Sequence, residues 1–145
     1  MKYLIDYAMS FLGTPYKWGG QSAIKGEGVD CSGFVQIVLE SVGMDPKNDQ
    51  TAHGLYKYFS AKGHTIKNAK QGALAFYGKP TRITHIALCI DGYRVIEAGG
   101  GRSSTTDYEA AVRANAAVRI RPVRYRRDLV ALVMPKYKNV TKRVS

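Results

Sequence analysis

Length, composition and charge limit the chain to a small range of protein classes. Its 145 residues suit one globular domain, and its hydrophobic and charged fractions of 45% and 23% are ordinary for such a domain. No apolar run approaches the roughly 18 residues that a membrane span needs. The two cysteines cannot make a disulfide framework, and no His/Cys cluster has zinc spacing, so we expect neither a metal nor another cofactor.

The net charge of +11 is unevenly distributed along the chain. Ten basic residues and one acid, Asp128, lie from Arg113 onward. This excess indicates either a well-solvated surface or attraction to a polyanion such as an anionic cell wall or nucleic acid.

The first thirteen residues do not read as a signal peptide. Asp6 and Ser10 interrupt the apolar stretch, and no small-residue cleavage site follows. Localisation therefore stays open between the cell interior, export without a signal, and a form that is already processed.

The first part of the chain predicts helices. Apolar residues recur at helical spacing, Thr14-Pro15 ends the first run, and Asp30 is a good N-cap for the second. Four glycines between residues 18 and 28 predict a loop before that cap. The helices expected are residues 3–12, from Asp30 to about Gly43, and 51–62.

After residue 70 the pattern changes to short apolar or alternating runs that predict strands, interrupted by a short helix over residues 106–113. Helices followed by strands indicate an α+β domain with an antiparallel sheet. We expect this domain to span residues 1–135 and the basic residues 136–145 to form a flexible tail. The predicted strands are 72–77, 84–90, 93–97, 117–121 and 129–133.

Cys31 lies where a nucleophile could be activated. It directly follows the predicted N-cap, in a first helical turn whose unpaired N–H groups and dipole stabilise an anion. Gly28 and Gly33 flank it, so a substrate could approach closely. By position alone, a small buried apolar side chain is an equally good interpretation.

A thiolate nucleophile needs a base, and the chain offers three histidines. His85 lies inside a strand pattern that would fix its orientation, and it is the predicted base. His53 and His64 lie near the two ends of the third helix and are expected at the surface. Cys89 shares the predicted face of His85 but lies roughly 13 Å along the strand, so we interpret it as structural.

The hairpin that follows suggests a partner for His85. A three-residue loop of Ile90, Asp91 and Gly92, with Gly92 left-handed, would place His85 directly opposite Glu97 on one sheet face. A two-residue turn would instead leave that carboxylate among apolar side chains. Glu97 could then accept the second imidazole N–H and fix the tautomer, or it could be a solvated carboxylate at a strand end.

Four segments together resemble the NlpC/P60 peptidases in order and spacing. The Asp-Cys-Ser-Gly-Phe string after a Tyr-x-Trp-Gly-Gly string is specific, and the resemblance covers about residues 3–100. The segments are Gly13-Thr-Pro-Tyr-Lys-Trp-Gly-Gly20, Gly28-Val-Asp-Cys-Ser-Gly-Phe34, Gly72-Ala-Leu-Ala-Phe76 and Thr84-His-Ile-Ala87.

The resemblance implies a papain-like fold, with N-terminal helices packed on a five- to six-stranded antiparallel sheet. It implies a cysteine endopeptidase that hydrolyses peptidoglycan stem peptides, typically between D-glutamate and diaminopimelate or lysine. By motif match, Cys31 resembles the nucleophile, His85 the base, and Tyr16 a tyrosine near the oxyanion. Asp30 and Ser32 resemble residues that help to hold the substrate.

Other positions are less clear from the resemblance. Trp18 is assigned to substrate binding, although core packing is a second interpretation that fits Trp18 better than Tyr16. Gly99, in the run Gly99-Gly100-Gly101, is expected to border the substrate groove. The family's third polar residue is usually His, Asn or Gln, whereas this chain has Glu97, and a carboxylate would favour the cationic imidazole.

Three other functions stay open. An amidase cutting the muramoyl–L-alanine bond would use the same Cys31 and His85. A non-hydrolytic wall-binding or phage tail structural domain is a second option, and the run from Glu97 to Gly101 and the small format do resemble phage-encoded members. Nucleic-acid binding is a third, but we expect no such partner, because no recognised motif is present and the arginines alternate with apolar residues, as solvent-facing strand positions do. These arginines are Arg119, Arg121, Arg124, Arg126 and Arg127.

Bacterial peptidoglycan is the expected partner of the chain. The basic C-terminal part could contact a phage tail or a wall polyanion.

Overall fold

The computed structural model of the chain describes residues 1–20, 28–46, 48, 50–101 and 104–138. Part of the predicted glycine-rich loop and residues 139–145 of the predicted tail lie outside these ranges. No helix within them combines the length and hydropathy that crossing a membrane requires. The helices are α1 (Lys2–Met9), α2 (Cys31–Glu40), α3 (Ala52–Lys62) and α4 (Tyr108–Ala114), and the strands are β1 (His64–Ile66), β2 (Leu74–Lys79), β3 (Arg82–Cys89), β4 (Arg94–Gly99), β5 (Ala117–Pro122) and β6 (Leu129–Met134).

The strands of the described chain form one six-stranded sheet in the order β1-β6-β2-β3-β4-β5. Every neighbouring pair is antiparallel. The sequence does not predict β1, because its three residues are too few to show an alternating pattern. The expected α+β fold, with N-terminal helices followed by an antiparallel sheet, is confirmed.

The first three helices and one face of the sheet share the larger hydrophobic core. Leu4 of α1, Phe34 of α2 and Phe59 of α3 are each at most 2% exposed. Burial of a large apolar side chain stabilises the fold by about 1.5–3 kcal/mol, so this core holds α2 firmly against the sheet. The strand residues in the same cluster include Leu74, Phe76, Ile86, Leu88, Ile96 and Val118.

The opposite face of the sheet carries a smaller cluster, built mainly from small residues. The segment after β5 covers it through Val123 and Tyr125. The Tyr77 hydroxyl donates a hydrogen bond to the Val123 carbonyl at 2.6 Å, which ties this segment to β2. Ala73, just before β2, belongs to this cluster, and its strand residues include Ala75, Ala87, Cys89 and Val95.

The structure refines the predicted bounds near both ends of the domain. α1 ends at Met9, earlier than predicted, because residues 10–13 form turns and Gly13 has a left-handed φ of 86°. Near the other end, the Tyr137 hydroxyl donates to the Gly72 carbonyl at 2.7 Å. Packing against the sheet therefore reaches at least Tyr137.

Candidate active site

Cys31 is the first residue of α2 and is partly exposed. Asp30 caps the helix, since its Oδ1 accepts the Gly33 N–H at 2.7 Å. Behind this turn, every residue from Ser32 to Leu39 is buried. The predicted N-cap is confirmed, and it places the thiol at a helix N-terminus that the core keeps from shifting.

Asp30 also joins the preceding loop to α2. Its Oδ2 accepts the Gly19 N–H at 3.0 Å, and its own N–H donates to the Gly20 carbonyl at 3.0 Å. The Ser32 hydroxyl, on a residue that is 8% exposed, donates to Oδ1 at 3.3 Å. Both carboxylate oxygens therefore hold the local structure, and a substrate role for Asp30 and Ser32 stays a prediction.

His85 lies on β3 and is 7% exposed. Its Nε2 is 2.8 Å from Oε1 of Glu97, a β4 residue that is completely buried. This contact leaves Nδ1 as the ring nitrogen that can face the Cys31 side chain, which lies close enough to raise the pKa of His85. The structure therefore brings Cys31, His85 and Glu97 together in one chain of contacts.

The loop between β3 and β4 differs from the prediction. It consists of residues 91–93 and is closed by the Ile90 N–H, which donates to the Arg94 carbonyl at 2.9 Å. The predicted loop begins one residue earlier and makes Gly92 left-handed, and both details are wrong. The physical reason is the Asp91 side chain, whose Oδ1 accepts the N–H groups of Tyr93 and Arg94 at 2.8 Å each and so forms the turn around itself.

The shifted loop changes the relation between His85 and Glu97. The paired positions of β3 and β4 are Leu88–Ile96 and Cys89–Val95, so His85 is diagonal to Glu97 and not directly opposite as predicted. The His85–Glu97 contact still forms, because the predicted loop of residues 90–92 and the observed loop of residues 91–93 both have three residues. Either loop places the two side chains on the same face of the sheet. Long side chains can span the diagonal between neighbouring strands.

Two residues that the sequence did not assign to the site complete the surroundings of Glu97. Arg119 Nε donates to Oε2 at 3.1 Å, and the Tyr125 hydroxyl lies 2.8 Å from Oε1 and 2.9 Å from Oε2. The solvent-facing interpretation of Arg119 is wrong: its side chain is 23% exposed and it pairs directly opposite Glu97 across β4 and β5. That partnership depends on strand register, which no local pattern reveals.

The electrostatics of the site favour an ion pair. Burial lowers the pKa of His85, but hydrogen bonds with Cys31 and Glu97, and the charges of both, outweigh it and raise the pKa from 6.5 to about 9. Burial raises the pKa of Glu97, but bonds from His85, Tyr125 and Arg119 and the charge of His85 outweigh it and hold the pKa below its usual value. At neutral pH this arrangement favours imidazolium and carboxylate.

Tyr16 is buried and Trp18 is exposed, which is the reverse of the expectation. Tyr16 is 5% exposed and belongs to the core, whereas Trp18 is 53% exposed. The expectation that core packing fits Trp18 better is therefore wrong. Burial first, then the charges of Cys31 and Asp30, raise the pKa of Tyr16 well above its ordinary value, so its hydroxyl stays protonated and can donate.

Gly99 lies against the buried ion pair. A Cβ at this position would meet the Glu97 carboxylate and come within 3.0 Å of the Arg119 guanidinium. Gly99 is itself buried. Gly99 is therefore a spacer beside the Glu97–Arg119 pair, and its place at the edge of a substrate groove stays a prediction.

The remaining histidines and the second cysteine lie apart from these contacts. His64 is exposed, but the surface expectation is wrong for His53, whose half-buried ring accepts the Ile83 N–H at 3.0 Å. Cys89 is fully buried, and burial raises its pKa to about 12, which suits a structural thiol. Among the described residues, no group of three or more His, Cys, Asp or Glu side chains could hold a metal ion.

Comparison with known proteins identifies the family. The model of the NlpC/P60 family matches residues 13–121, and the chain belongs to this family. It is 33% identical over 119 residues to the peptidoglycan endopeptidase RipB of Mycobacterium tuberculosis, which covers 73% of this chain and 46% of RipB. It is 34% identical over 100 residues to the gamma-D-glutamyl-L-lysine dipeptidyl-peptidase of Bacillus subtilis, covering 64% of this chain and 30% of that protein. The chain thus spans less than half of the length of either relative.

Solved structures agree with this family and fold. The crystal structure of the NlpC/p60 domain of the peptidoglycan hydrolase SagA superposes with a TM-score of 0.64 and 26% identity, over 90% of this chain and 94% of that one. NlpC2 of Trichomonas vaginalis shares the fold with a TM-score of 0.68 at 17% identity, over 94% of this chain and 46% of that one. The resemblance and the fold predicted from the sequence are both confirmed.

Proposed function

We propose that the chain is a cysteine endopeptidase that hydrolyses peptide bonds in the stem peptides of bacterial peptidoglycan. The observation that carries this proposal is the position of His85: it lies close enough to Cys31, at the start of α2, for that side chain to raise its pKa, while its Nε2 is 2.8 Å from buried Glu97. A nucleophile, a base and a group that orients the base are the parts that acyl transfer requires.

Acylation follows from these positions. The Cys31 thiolate attacks the scissile carbonyl carbon and forms a C–S bond, which leaves a negative charge on the carbonyl oxygen. We propose that N–H groups at the start of α2, other than that of Gly33, which Asp30 caps, and the Tyr16 hydroxyl stabilise this charge. The C–N bond then breaks as the His85 imidazolium gives its Nδ1 proton to the leaving amine.

Deacylation reverses the role of the imidazole. Neutral His85 takes a proton from water, whose oxygen attacks the acyl carbon. The C–S bond breaks, the acid product leaves, and thiolate and imidazolium are restored. Throughout, Glu97 holds Nε2 and keeps Nδ1 directed at the thiol.

The substrate class draws on the relatives. Those described above are named as a peptidoglycan endopeptidase and a gamma-D-glutamyl-L-lysine dipeptidyl-peptidase. We therefore propose cleavage between D-glutamate and the diamino acid of the stem, which is diaminopimelate or lysine. Peptidoglycan is the proposed partner of the site.

Product analysis tests the proposal. Purified peptidoglycan of the diaminopimelate type and of the lysine type is digested with the wild-type protein and with Cys31→Ala, and the fragments are identified by mass spectrometry. Cys89→Ala is the matched control, because it removes the other thiol from a buried place outside the site.

The expected result is new amino termini on diaminopimelate or lysine with the wild-type protein and with Cys89→Ala, and none with Cys31→Ala. Free lactyl ends of muramic acid would show an amidase instead. Wall binding without any product from the wild-type protein would favour a non-hydrolytic domain.

A further inference from the structure

Glu97 has more partners than the orientation of one imidazole requires. One carboxylate receives a contact from His85, an ion pair from Arg119 and a hydroxyl that reaches both of its oxygens, from Tyr125. These partners come from β3, from β5 and from the segment after β5, so three parts of the chain converge on a fully buried group.

We propose that Arg119 and Tyr125 are positioning residues that keep Glu97 ionised and directed at His85, so that the resting enzyme holds His85 as an imidazolium. This proposal builds on the proposed function, because it assigns the protonation state from which the peptidase would start. It goes beyond that function, since neither residue touches the Cys31 thiol in the contacts described above.

Arg119 and Tyr125 stabilise Glu97 in different ways, one through its charge and the other through its hydroxyl. A buried carboxylate without a cation would be costly to keep charged and would take up a proton. The Arg119 side chain is 23% exposed, so its guanidinium brings a positive charge to Oε2 without being fully desolvated itself. The Tyr125 hydroxyl lies within 2.9 Å of both oxygens and therefore fixes the rotation of the carboxylate, which aims Oε1 at the imidazole.

Other charged and titratable groups near His85 leave this assignment in place. Cys31 faces it from α2, and its negative charge adds to that of Glu97. The Tyr77 ring lies 5.6 Å from the His85 ring, but its hydroxyl donates to a backbone carbonyl and burial raises its pKa far above neutral. Arg126 and Asp128, before β6, form a bidentate pair at 2.9 and 2.8 Å and neutralise each other.

A consequence follows for the pH dependence of the reaction. The imidazolium is the acid that protonates the leaving amine, so acylation fails when His85 loses its proton. The Glu97 anion and the Cys31 charge raise the pKa of His85, so the alkaline limb of kcat/KM lies near pH 9 and not near 6.5. Loss of Arg119 lets Glu97 take up a proton more easily, weakens its hold on the imidazolium, and moves that limb towards neutral pH.

The test combines kinetics with NMR. The pH profile of kcat/KM on a soluble muropeptide is measured for wild type, Glu97→Gln, Arg119→Gln, Arg119→Lys and Tyr125→Phe. The protonation of the His85 ring is followed by ¹⁵N NMR in the same proteins, with its signal assigned by comparison with His85→Gln. Arg121→Gln is the matched control, because it removes the same charge from the same strand and Arg121 has no contact with Glu97 among the hydrogen bonds and ion pairs of the described residues.

We expect the alkaline limb and the NMR midpoint of His85 to fall together by about one pH unit or more in Glu97→Gln and Arg119→Gln. The fall should be smaller in Arg119→Lys, which keeps the charge and guards against a folding defect in Arg119→Gln, and smaller in Tyr125→Phe. Arg121→Gln should match wild type.

Two outcomes would overturn the proposal: an unchanged NMR midpoint in folded Arg119→Gln and Arg119→Lys, or an equal shift in Arg121→Gln, which would mean a general charge effect. Failure of the proposed function looks different. In that case the wild-type protein has no peptidase activity, while the NMR midpoints still report whether Arg119 and Tyr125 control the charge of His85.

Discussion

The Tyr16 ring lies directly on the backbone of Gly101, with no room between them for a side chain. A Cβ at position 101 would overlap three atoms of the ring. Tyr16 in turn lies close enough to Cys31 for the cysteine's charge to affect its pKa. The glycine therefore determines where a tyrosine of the proposed site can lie.

Gly101→Ala should lower kcat/KM at least about tenfold, because overpacking displaces the Tyr16 ring or the loop that carries residue 101, at a stability cost of about 1–3 kcal/mol. Steady-state kinetics and urea unfolding measure the two effects. Gly92→Ala is the control, since its Cβ would meet its nearest neighbour at an ordinary 3.5 Å in the β3–β4 loop. Full activity in Gly101→Ala would show that the contact does not matter for catalysis.

Tyr16→Phe should reduce kcat about 10- to 100-fold with little change in KM. A hydroxyl that stays protonated can donate to the oxyanion, and loss of one such donor costs rate in the transition state. Single-turnover acylation of a soluble muropeptide measures the step. The exposed Tyr108→Phe should behave as wild type, and an unchanged acylation rate in Tyr16→Phe would remove the hydroxyl from the mechanism.

Asp30→Ala should destabilise the fold by about 1–2 kcal/mol and abolish most activity. The substitution removes the helix cap and the bond to Gly19, so the start of α2 and its thiol lose their fixed position. Chemical denaturation and peptidase assays give both values. Thr51→Ala removes the cap of α3, where Thr51 Oγ1 accepts the Gly54 N–H at 3.0 Å, and should cost similar stability without loss of activity. Equal activity losses in the two variants would point to a general effect of destabilisation.

Stability should depend on pH in a window that the ion pair defines. The pKa of His85 is raised to about 9, so its contribution is complete below about pH 6.5 and is lost as the pH rises through 9. The pKa of Glu97 is lowered, so its contribution is present above its ordinary value and is lost as the pH falls through the lowered one. Between pH 6.5 and 9 the free energy of unfolding should therefore fall by on the order of 3 kcal/mol.

Urea unfolding of wild type and Glu97→Gln at several pH values measures this fall. Because Cys31 is common to both proteins, the difference between the two curves isolates the share of the carboxylate. The fall should be clearly smaller in Glu97→Gln, and parallel curves would contradict the ion pair.

Trp18→Ala should raise KM for peptidoglycan fragments several-fold while leaving kcat and stability nearly unchanged. The indole is 53% exposed, so its removal leaves no cavity, and an exposed aromatic beside the Asp30 loop is suited to contact a substrate. Tyr93→Ala, 81% exposed in the β3–β4 loop, is the control. A KM equal to that of wild type would leave Trp18 without a substrate role.

The sequence predicts the local parts of this site well. An Asp followed by Cys at the start of an apolar helical run specifies a capped helix, and the structure has it. The sequence predicts the contact of His85 with Glu97 even though the predicted register is wrong, because the sheet face of a strand residue depends on whether the loop has an odd or an even number of residues and not on where the loop begins. The sequence does not predict the roles of Arg119 and Tyr125, because their relation to Glu97 is set by the pairing of β4 with β5 and by the path of the chain after β5. The burial of Tyr16 likewise depends on the loop at Gly101, 85 residues away in the chain.

α2 is almost wholly enclosed, and its first residue carries the proposed nucleophile. A substitution of Phe34, Val35 or Leu39 would therefore displace the Cys31 sulfur as well as lower the stability of the fold. Peptidase turnover becomes a sensitive reporter of how well the interior is assembled.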